Sequence, residues 1–298
     1  MRYRTLGDFQ VSAIGLGAMP LSIEGRPSEQ QAHATVHAAL DAGVTLIDTA
    51  DSYYAPDGEP GAGELLVARA LAAYGGAADS VLVATKGGRG RTPDGGWTVD
   101  GDPGRLKQAA KNSLARLGVP AIGLYQLHKP DPAVPFADSL GALRELLDEG
   151  VIQFAGISNV DAEQIRLARR MLGEKLASVQ NRYSPEVRDS EAELRLCAEL
   201  GVAFLPWSPL GGISRSSLDG PSALGGDDGA DRPYAAFHRV ARAHGASPQQ
   251  TALAWLLAKS PTVIPIPGAS RPQSAAGSAA AADLVLSETE LAELDATG

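Results

Sequence analysis

Short apolar runs alternate along the chain with longer segments whose apolar residues recur at helical spacing. Each short run is nearly continuous in its hydrophobicity, which is typical of parallel strands that are buried on both faces. The pattern predicts eight such strands, at residues 13–19, 45–50, 81–86, 122–128, 152–158, 177–181, 202–208 and 263–268.

Helix start signals precede several of the longer segments. Asp102 stands before Pro103, as an N-cap residue before a proline in the first turn would, and Gly118 ends that pattern. Capping boxes are predicted where Asp161, Ser247 and Ser287 are each followed three residues later by Gln or Glu. Further helices are predicted at about 28–43, 61–74, 136–149, 189–200, 233–245 and 271–282.

Eight strands that alternate with helices predict an α/β fold, a closed (β/α)8 TIM barrel formed as one domain by residues 1–298. The alternative is a doubly wound sheet, in which a dinucleotide site would open with G-x-G-x-x-G. The nearest string, residues 15–20, lacks the third glycine and ends in proline. Two long βα loops, 87–101 and 209–233, would lie on the active-site face of the barrel.

Composition narrows the classes of partner. The 298 residues include 26 Lys and Arg against 35 Asp and Glu, a formal net charge of -9. Nucleic acids and anionic membranes attract basic surfaces, so neither is expected as a partner. The chain has one cysteine, no signal-peptide-like start and no apolar run of membrane-spanning length. We expect a cytoplasmic protein that binds a small molecule and no metal.

Four ionisable side chains lie at or just beyond the carboxyl ends of three predicted strands: Asp48, Tyr53, Lys86 and His128, here called the tetrad. Each one alone has an ordinary structural explanation, such as a helix cap or a packed ring. A barrel brings strand ends together at one mouth, so the four together indicate a catalytic cluster. We expect Asp48 to hold Lys86 charged, and Lys86 to lower the pKa of Tyr53 so that its phenol donates a proton.

Eight segments occur in a fixed order along the chain: IGLGAM, IDTADSYY, VATKGG, LYQLHKPD, GISN, VQNRYS, PWSPLGG and IPGASR. Together they resemble the aldo-keto reductase family over essentially the full length. The resemblance implies a (β/α)8 barrel whose N-terminal β-hairpin, within residues 3–17, covers the bottom. It also implies that the tetrad is catalytic, with Tyr53 as the general acid.

The same resemblance implies a nicotinamide dinucleotide cofactor, with NADPH favoured over NADH because Arg271 suits the 2′-phosphate. Trp207 matches the aromatic residue that stacks on the nicotinamide ring. The family's other cofactor-binding positions correspond to Ser158, Asn159, Gln180, Ser208, Pro209, Leu210, Gly211, Gly212, Gly268 and Ser270. Gly277 and Ser278 stand where the family often presents Glu and Asn to the adenine, which bears on the strength of the NADPH preference.

The implied activity is NADPH-dependent reduction of an aldehyde or ketone to an alcohol. Met19, Tyr54 and Trp97 are expected to form the substrate pocket, and Tyr54 stands where members commonly have glycine, so we expect it to narrow the mouth. Two alternatives are an NADP-binding regulatory module, like the potassium-channel β subunits, and a Schiff-base aldolase that uses Lys86. The sequence leaves the substrate, the direction of reaction and the oligomeric state open.

Overall fold

Parallel strands form the centre of the protein. The computed structural model describes residues 1–92, 94–214 and 234–297. In the described residues the strands are β1 (Tyr3–Leu6), β2 (Phe9–Ser12), β3 (Leu16–Gly17), β4 (Leu46–Asp48), β5 (Leu82–Gly87), β6 (Arg89–Arg91), β7 (Trp97–Val99), β8 (Ile122–Leu127), β9 (Ile152–Ser158), β10 (Leu176–Gln180) and β11 (Ala203–Phe204).

Seven of these strands form one parallel sheet in the order β3, β4, β5, β8, β9, β10, β11. The register sets Lys86 opposite Gln126 and Gln180 opposite Ser158 at the carboxyl ends of their strands. The predicted strands are thus confirmed for seven of the eight runs, and the barrel class agrees with the observed sheet.

The eighth run closes the ring without forming a regular strand. Residues 263–268 contact both edges of the sheet through isolated bridges, Val263 with Phe204 and Gly268 with Gly17. Gly17 admits no side chain there, because a Cβ atom would lie 2.8 Å from a backbone oxygen of the eighth run. The sheet therefore closes into a barrel whose seam lies between β3 and residues 263–268.

Proline explains why the eighth run is irregular. The carbonyls of Pro265 and Pro267 accept hydrogen bonds from the N–H groups of Gly15 and Gly17, both at 2.9 Å. Proline has no N–H group that could donate a hydrogen bond to β3, so a continuous ladder of backbone hydrogen bonds cannot form on that side. On the other side, the Ile264 N–H donates to β11.

Helices follow the strands around the outside of the barrel. The predicted caps are confirmed: the Asp102 side chain accepts from a first-turn N–H, and the three predicted capping boxes are all present. In the described residues the helices are α1 (Glu29–Asp41), α2 (Ala62–Tyr74), α3 (Pro103–Leu117), α4 (Phe136–Asp148), α5 (Ala162–Leu172), α6 (Glu191–Leu200), α7 (Ala235–Ala243), α8 (Pro248–Lys259), α9 (Pro272–Ala280) and α10 (Glu288–Asp295).

The N-terminal hairpin covers the end of the barrel where the parallel strands begin. β1 and β2 pair antiparallel, and Leu6 and Val11 are buried against side chains from inside the barrel, including Leu124. The Phe9 ring packs edge-on against Phe154 with 5.7 Å between the ring centroids. The predicted hairpin is confirmed, and the opposite end of the barrel is left for the site.

The long loop after β5 contains ordered structure. β6 and β7 pair antiparallel within residues 87–101, where the sequence predicts only a long loop. Their connection turns at Gly95, whose φ of 86° lies in the left-handed region that glycine tolerates. Most of the second long loop, residues 215–233, lies outside the described residues.

Within the described ranges, no helix combines the length and apolar character that crossing a membrane requires.

Candidate functional site

A cavity of about 980 Å³ opens at the carboxyl ends of the strands. Fifteen of the predicted site residues line it. They are Met19, Asp48, Tyr53, Trp97, His128, Ser158, Asn159, Gln180, Trp207, Ser208, Pro209, Leu210, Gly211, Gly268 and Ser270.

The other predicted site residues lie outside this lining. Lys86 is fully buried behind the cavity wall. Gly212 and Arg271 directly follow residues that do line the cavity, and Arg271 is exposed at the start of α9. Tyr54 is half-buried in a tight turn after Tyr53 and does not line the cavity, contrary to the expectation that it narrows the mouth.

Lys86 is the centre of the polar cluster. Its Nζ atom donates to Asp48 Oδ1 at 2.5 Å, to the Thr49 carbonyl at 2.8 Å and to Tyr53 Oη at 3.3 Å. Burial lowers the pKa of Lys86, but the Asp48 carboxylate and the Tyr53 oxygen outweigh it, so the net pKa lies above the ordinary value of 10.5. Lys86 is therefore an ammonium ion in this site, as expected.

Two glutamines hold the Asp48 carboxylate in place. Oδ2 accepts from Gln126 Nε2 at 3.2 Å and from Gln180 Nε2 at 2.9 Å, while Oδ1 accepts from Lys86. Gln126 is fully buried and is absent from the residues predicted from the sequence. The sequence feature that could have identified Gln126 is its side-chain amide within a largely apolar predicted strand, because a buried polar group needs a hydrogen-bond partner.

Tyr53 presents its phenol between Lys86 and the cavity. The ring packs edge-on against His128, with ring centroids 5.6 Å apart. Burial raises the pKa of Tyr53 and Lys86 lowers it, and the balance leaves the pKa above the ordinary value of 10.0. The expectation of a net lowering is therefore wrong: desolvation of the phenolate outweighs the nearby ammonium.

His128 stays neutral at physiological pH. Burial, followed by the positive charges of Lys86 and Arg89, holds the pKa of His128 well below 6.5. Ser52 Oγ lies 3.3 Å from Nδ1. A neutral imidazole in this position is suited to hydrogen bonding with a substrate oxygen, and not to carrying charge.

Unused hydrogen-bonding atoms remain around the cavity. Asn159 donates to the His128 carbonyl and Gln180 to Asp48, which leaves Asn159 Oδ1 and Gln180 Oε1 without partners in the described part of the chain. The Trp207 indole N–H is buried and also has no partner there. These atoms could satisfy an amide group and a flat ring of a ligand.

The loop after β11 leaves backbone donors free. Among the described residues, the N–H groups of Leu210 and Gly212 make no hydrogen bond, whereas that of Gly211 bonds to the Ser208 carbonyl at 3.2 Å. Two free backbone donors so close together in one loop suit an anion. The exposed side chain of Arg271, at the N-terminus of α9, gives a second place for anionic groups.

Two acidic side chains, Glu64 and Asp51, lie near Lys86. Glu64 is fully buried, accepts from Thr85 at 2.6 Å and pairs with Arg116 at 2.7 Å. Burial and the nearby Glu64 raise the pKa of Asp51 to about 8. Thr85 directly precedes Lys86, so this network fixes the end of β5.

No His, Cys, Asp or Glu grouping suited to a metal ion occurs in residues 1–92, 94–214 and 234–297.

Comparison with known sequences identifies relatives along nearly the whole chain. The profile of the Aldo/keto reductase family matches residues 13–298. An uncharacterized oxidoreductase of Schizosaccharomyces pombe is 34% identical over 297 residues, which cover 98% of this chain and 89% of that protein.

Solved structures share the fold. A glycerol dehydrogenase from Gluconobacter oxydans has a TM-score of 0.83 at 28% identity, covering 98% of this chain and 94% of that one. An aldo-keto reductase from Klebsiella pneumoniae, solved in complex with NADPH, has a TM-score of 0.77 at 29% identity, covering 99% and 94%.

Proposed function

Because this chain belongs to the aldo/keto reductase family, we propose that it uses NADPH to reduce an aldehyde or ketone to an alcohol. The observation that carries the proposal is the contact of Lys86 Nζ with both Asp48 and Tyr53 Oη, at 2.5 and 3.3 Å, beside the cavity. A buried ammonium next to a phenol is suited to proton transfer, and the phenol faces the space that a substrate would fill.

Tyr53 is the general acid in this proposal. At neutral pH its phenol is protonated, because its pKa lies above 10.0. The hydroxyl donates its proton to the carbonyl oxygen of the substrate as negative charge develops there. Lys86 stabilises the phenolate that remains, and Asp48 holds Lys86 in position.

His128 orients the substrate. It lies in the cavity lining with its ring against Tyr53, and its neutral imidazole can donate a hydrogen bond to the same carbonyl oxygen. Two donors on one oxygen fix the carbonyl beside the tyrosine hydroxyl, which favours reaction over other orientations.

The unused atoms of the cavity fit a nicotinamide dinucleotide. The oxygens of Asn159 and Gln180 would accept from its carboxamide, Trp207 would pack on its ring, and the N–H groups of Leu210 and Gly212 would bind its pyrophosphate. When bound, the reduced dinucleotide supplies the hydride. The NADPH complex of the Klebsiella pneumoniae relative supports this assignment.

Replacing Arg271 with Ala is expected to weaken NADPH binding more than NADH binding, by about 10-fold or more in Kd, because only NADPH carries the 2′-phosphate that a guanidinium binds. The Kd values for both cofactors can be measured by fluorescence titration. Arg144→Ala, which removes an exposed arginine that pairs with Asp148 on α4, is the matched control. An equal loss for NADPH and NADH would contradict the role of Arg271.

The rate of reduction is expected to be nearly independent of pH between about pH 6 and about pH 9. Tyr53 must be protonated to act as the acid, and its raised pKa keeps it so throughout this range. Titration of His128 is not expected to change the rate in this range, because its lowered pKa keeps it neutral. For the reverse oxidation, which needs the phenolate as base, kcat/KM should rise with pH. A reduction rate that fell between about pH 7 and about pH 8 would contradict this prediction. It would indicate either a lowered pKa for Tyr53 or an effect on the rate of the ionisation of Asp51, whose pKa is raised to about 8.

The reaction class itself is tested with a panel of aldehydes and ketones. Loss of NADPH absorbance is expected only when a carbonyl compound is present, with the alcohol identified by mass spectrometry. Tight NADPH binding without turnover on any compound would instead indicate a regulatory module. A borohydride-trapped adduct on Lys86 would indicate Schiff-base chemistry.

A further inference from the structure

Arg89 is a basic side chain in the lining of the proposed active site. It begins β6, two residues after the end of β5 at Gly87, and lines the same cavity as Tyr53 and His128. It lies close enough to both that its charge lowers their pKa values. The residues that the sequence singles out for the substrate pocket do not include it.

Arg89 and Arg91 lie on the same indole but differ in their partners. Their guanidinium carbons are 4.5 and 4.2 Å from the centre of the Trp97 ring. Arg91 also forms an ion pair with Glu24. Arg89 is half-buried and, within the described part of the chain, has neither a hydrogen bond nor an ion pair.

The acidic groups near Arg89 are already paired. Among the described residues that line the cavity, the carboxylates are those of Glu24 and Asp48. Glu24 is bound by Arg91, and Asp48 by Lys86. Within the described residues, the guanidinium of Arg89 is thus an unneutralised charge, in a chain whose formal net charge is -9. Keeping such a group partly out of water is unfavourable unless a ligand compensates it.

The position of Arg89 around the barrel separates it from the proposed phosphate sites. β5 is the third strand from the seam and β11 is the seventh, so the loops that follow them lie on opposite walls of the barrel. Leu210 and Gly212 follow β11, and Arg271 follows the eighth run. Arg89 therefore faces the part of the cavity that the substrate would use.

We propose that the carbonyl substrate carries an anionic group, a carboxylate or a phosphate, and that Arg89 binds this group while Tyr53 acts on the carbonyl. The inference rests on the proposed reductase function and adds the class of substrate. Trp97 holds the guanidinium by its ring face, which orients the hydrogen-bond donors of Arg89 without neutralising their charge.

The test compares matched pairs of substrates. One pair is 4-carboxybenzaldehyde and its methyl ester, and the other is glyceraldehyde 3-phosphate and glyceraldehyde. We expect kcat/KM to be about 10- to 100-fold higher for the anionic member of at least one pair, since charge-assisted hydrogen bonds are the strong ones. The pair with the larger ratio shows whether the anion is a carboxylate or a phosphate.

Variants assign the preference to Arg89. In Arg89→Gln the ratio of anionic to neutral substrate should fall to about 1, and Arg89→Lys should retain part of it because the charge is kept. Arg105→Gln removes the same charge from an exposed arginine on α3 and should leave the ratio at its wild-type value. Where the carboxylate pair shows the preference, calorimetric titration of the NADPH-bound protein with 4-(hydroxymethyl)benzoate should show a Kd at least about 10-fold weaker in Arg89→Gln.

Other results would overturn the inference. A kcat/KM ratio of anionic to neutral substrate near 1 in the wild type, or one unchanged in Arg89→Gln, would show that Arg89 does not bind an anionic group of the substrate. If the neutral aldehydes were still reduced, the proposed reductase function would remain supported. Equal losses for both members of a pair would indicate a purely structural contact with Trp97. A weakened Kd for NADPH in Arg89→Gln would assign Arg89 to the cofactor. Failure to reduce any carbonyl compound would remove the function and the inference together.

Discussion

Replacing Tyr53 with Phe is expected to lower kcat for carbonyl reduction by about 100- to 10,000-fold, the range that a general acid contributes. The change removes one oxygen atom, the acceptor of the Lys86 contact at 3.3 Å. The ring and its packing against His128 remain, so the Kd for NADPH should change by no more than about 2-fold. Single-turnover kinetics and cofactor titration measure the two quantities.

Tyr125→Phe is the matched control for this variant. Tyr125 is a fully buried tyrosine whose hydroxyl donates to the Leu106 carbonyl at 3.3 Å, outside the cavity lining. Its loss should lower stability by about 1 kcal/mol and leave kcat near the wild-type value. Full activity in Tyr53→Phe would require a different proton donor.

Replacing Lys86 with Met is expected to lower the free energy of unfolding by about 3 to 5 kcal/mol, because it leaves the buried Asp48 carboxylate without its counterion. Both side chains of this pair are almost completely buried. The reductase activity should be lost as well. Chemical denaturation measures the first effect, and the consumption of NADPH the second.

A double variant separates these two effects. Asp48→Asn/Lys86→Met removes both charges and should recover most of the lost stability but none of the activity. Lys107→Met removes the partner of Glu145 on the surface, where an ion pair contributes only about 0 to 1 kcal/mol, and serves as the control. Activity in the double variant would show that the pair is structural and not catalytic.

The positions of the strands along the chain were predictable because burial on both faces gives a nearly continuous apolar run. The eighth run had this character too, and Pro265 and Pro267 were visible in it. What the pattern could not show is that their carbonyls still accept bonds from β3, which closes the ring with isolated bridges. Hydrophobicity reports where a segment is buried, and not how its backbone is paired.

The approach of the tetrad side chains to one another was predictable because parallel strand ends meet at one edge. The residues that hold the tetrad in place were not predictable from the sequence. Gln126 lies inside a strand and Glu64 inside a helix, so neither position marks it as a partner of the site. The sign of the Tyr53 pKa shift depended on whether burial or Lys86 has the larger effect, and only the folded surroundings determine that. Arg89 stood in a loop whose hairpin the sequence did not reveal.

The seam of the barrel joins segments that are made far apart in time during synthesis. Gly15 and Gly17 emerge long before the carbonyls that accept from them, which belong to residues 263–268. Gly268, in the same late stretch, lines the cavity. A nascent chain that already holds every proposed catalytic side chain thus still lacks one wall of its cavity. We expect catalytic competence to begin only after residues 263–268 have been synthesised.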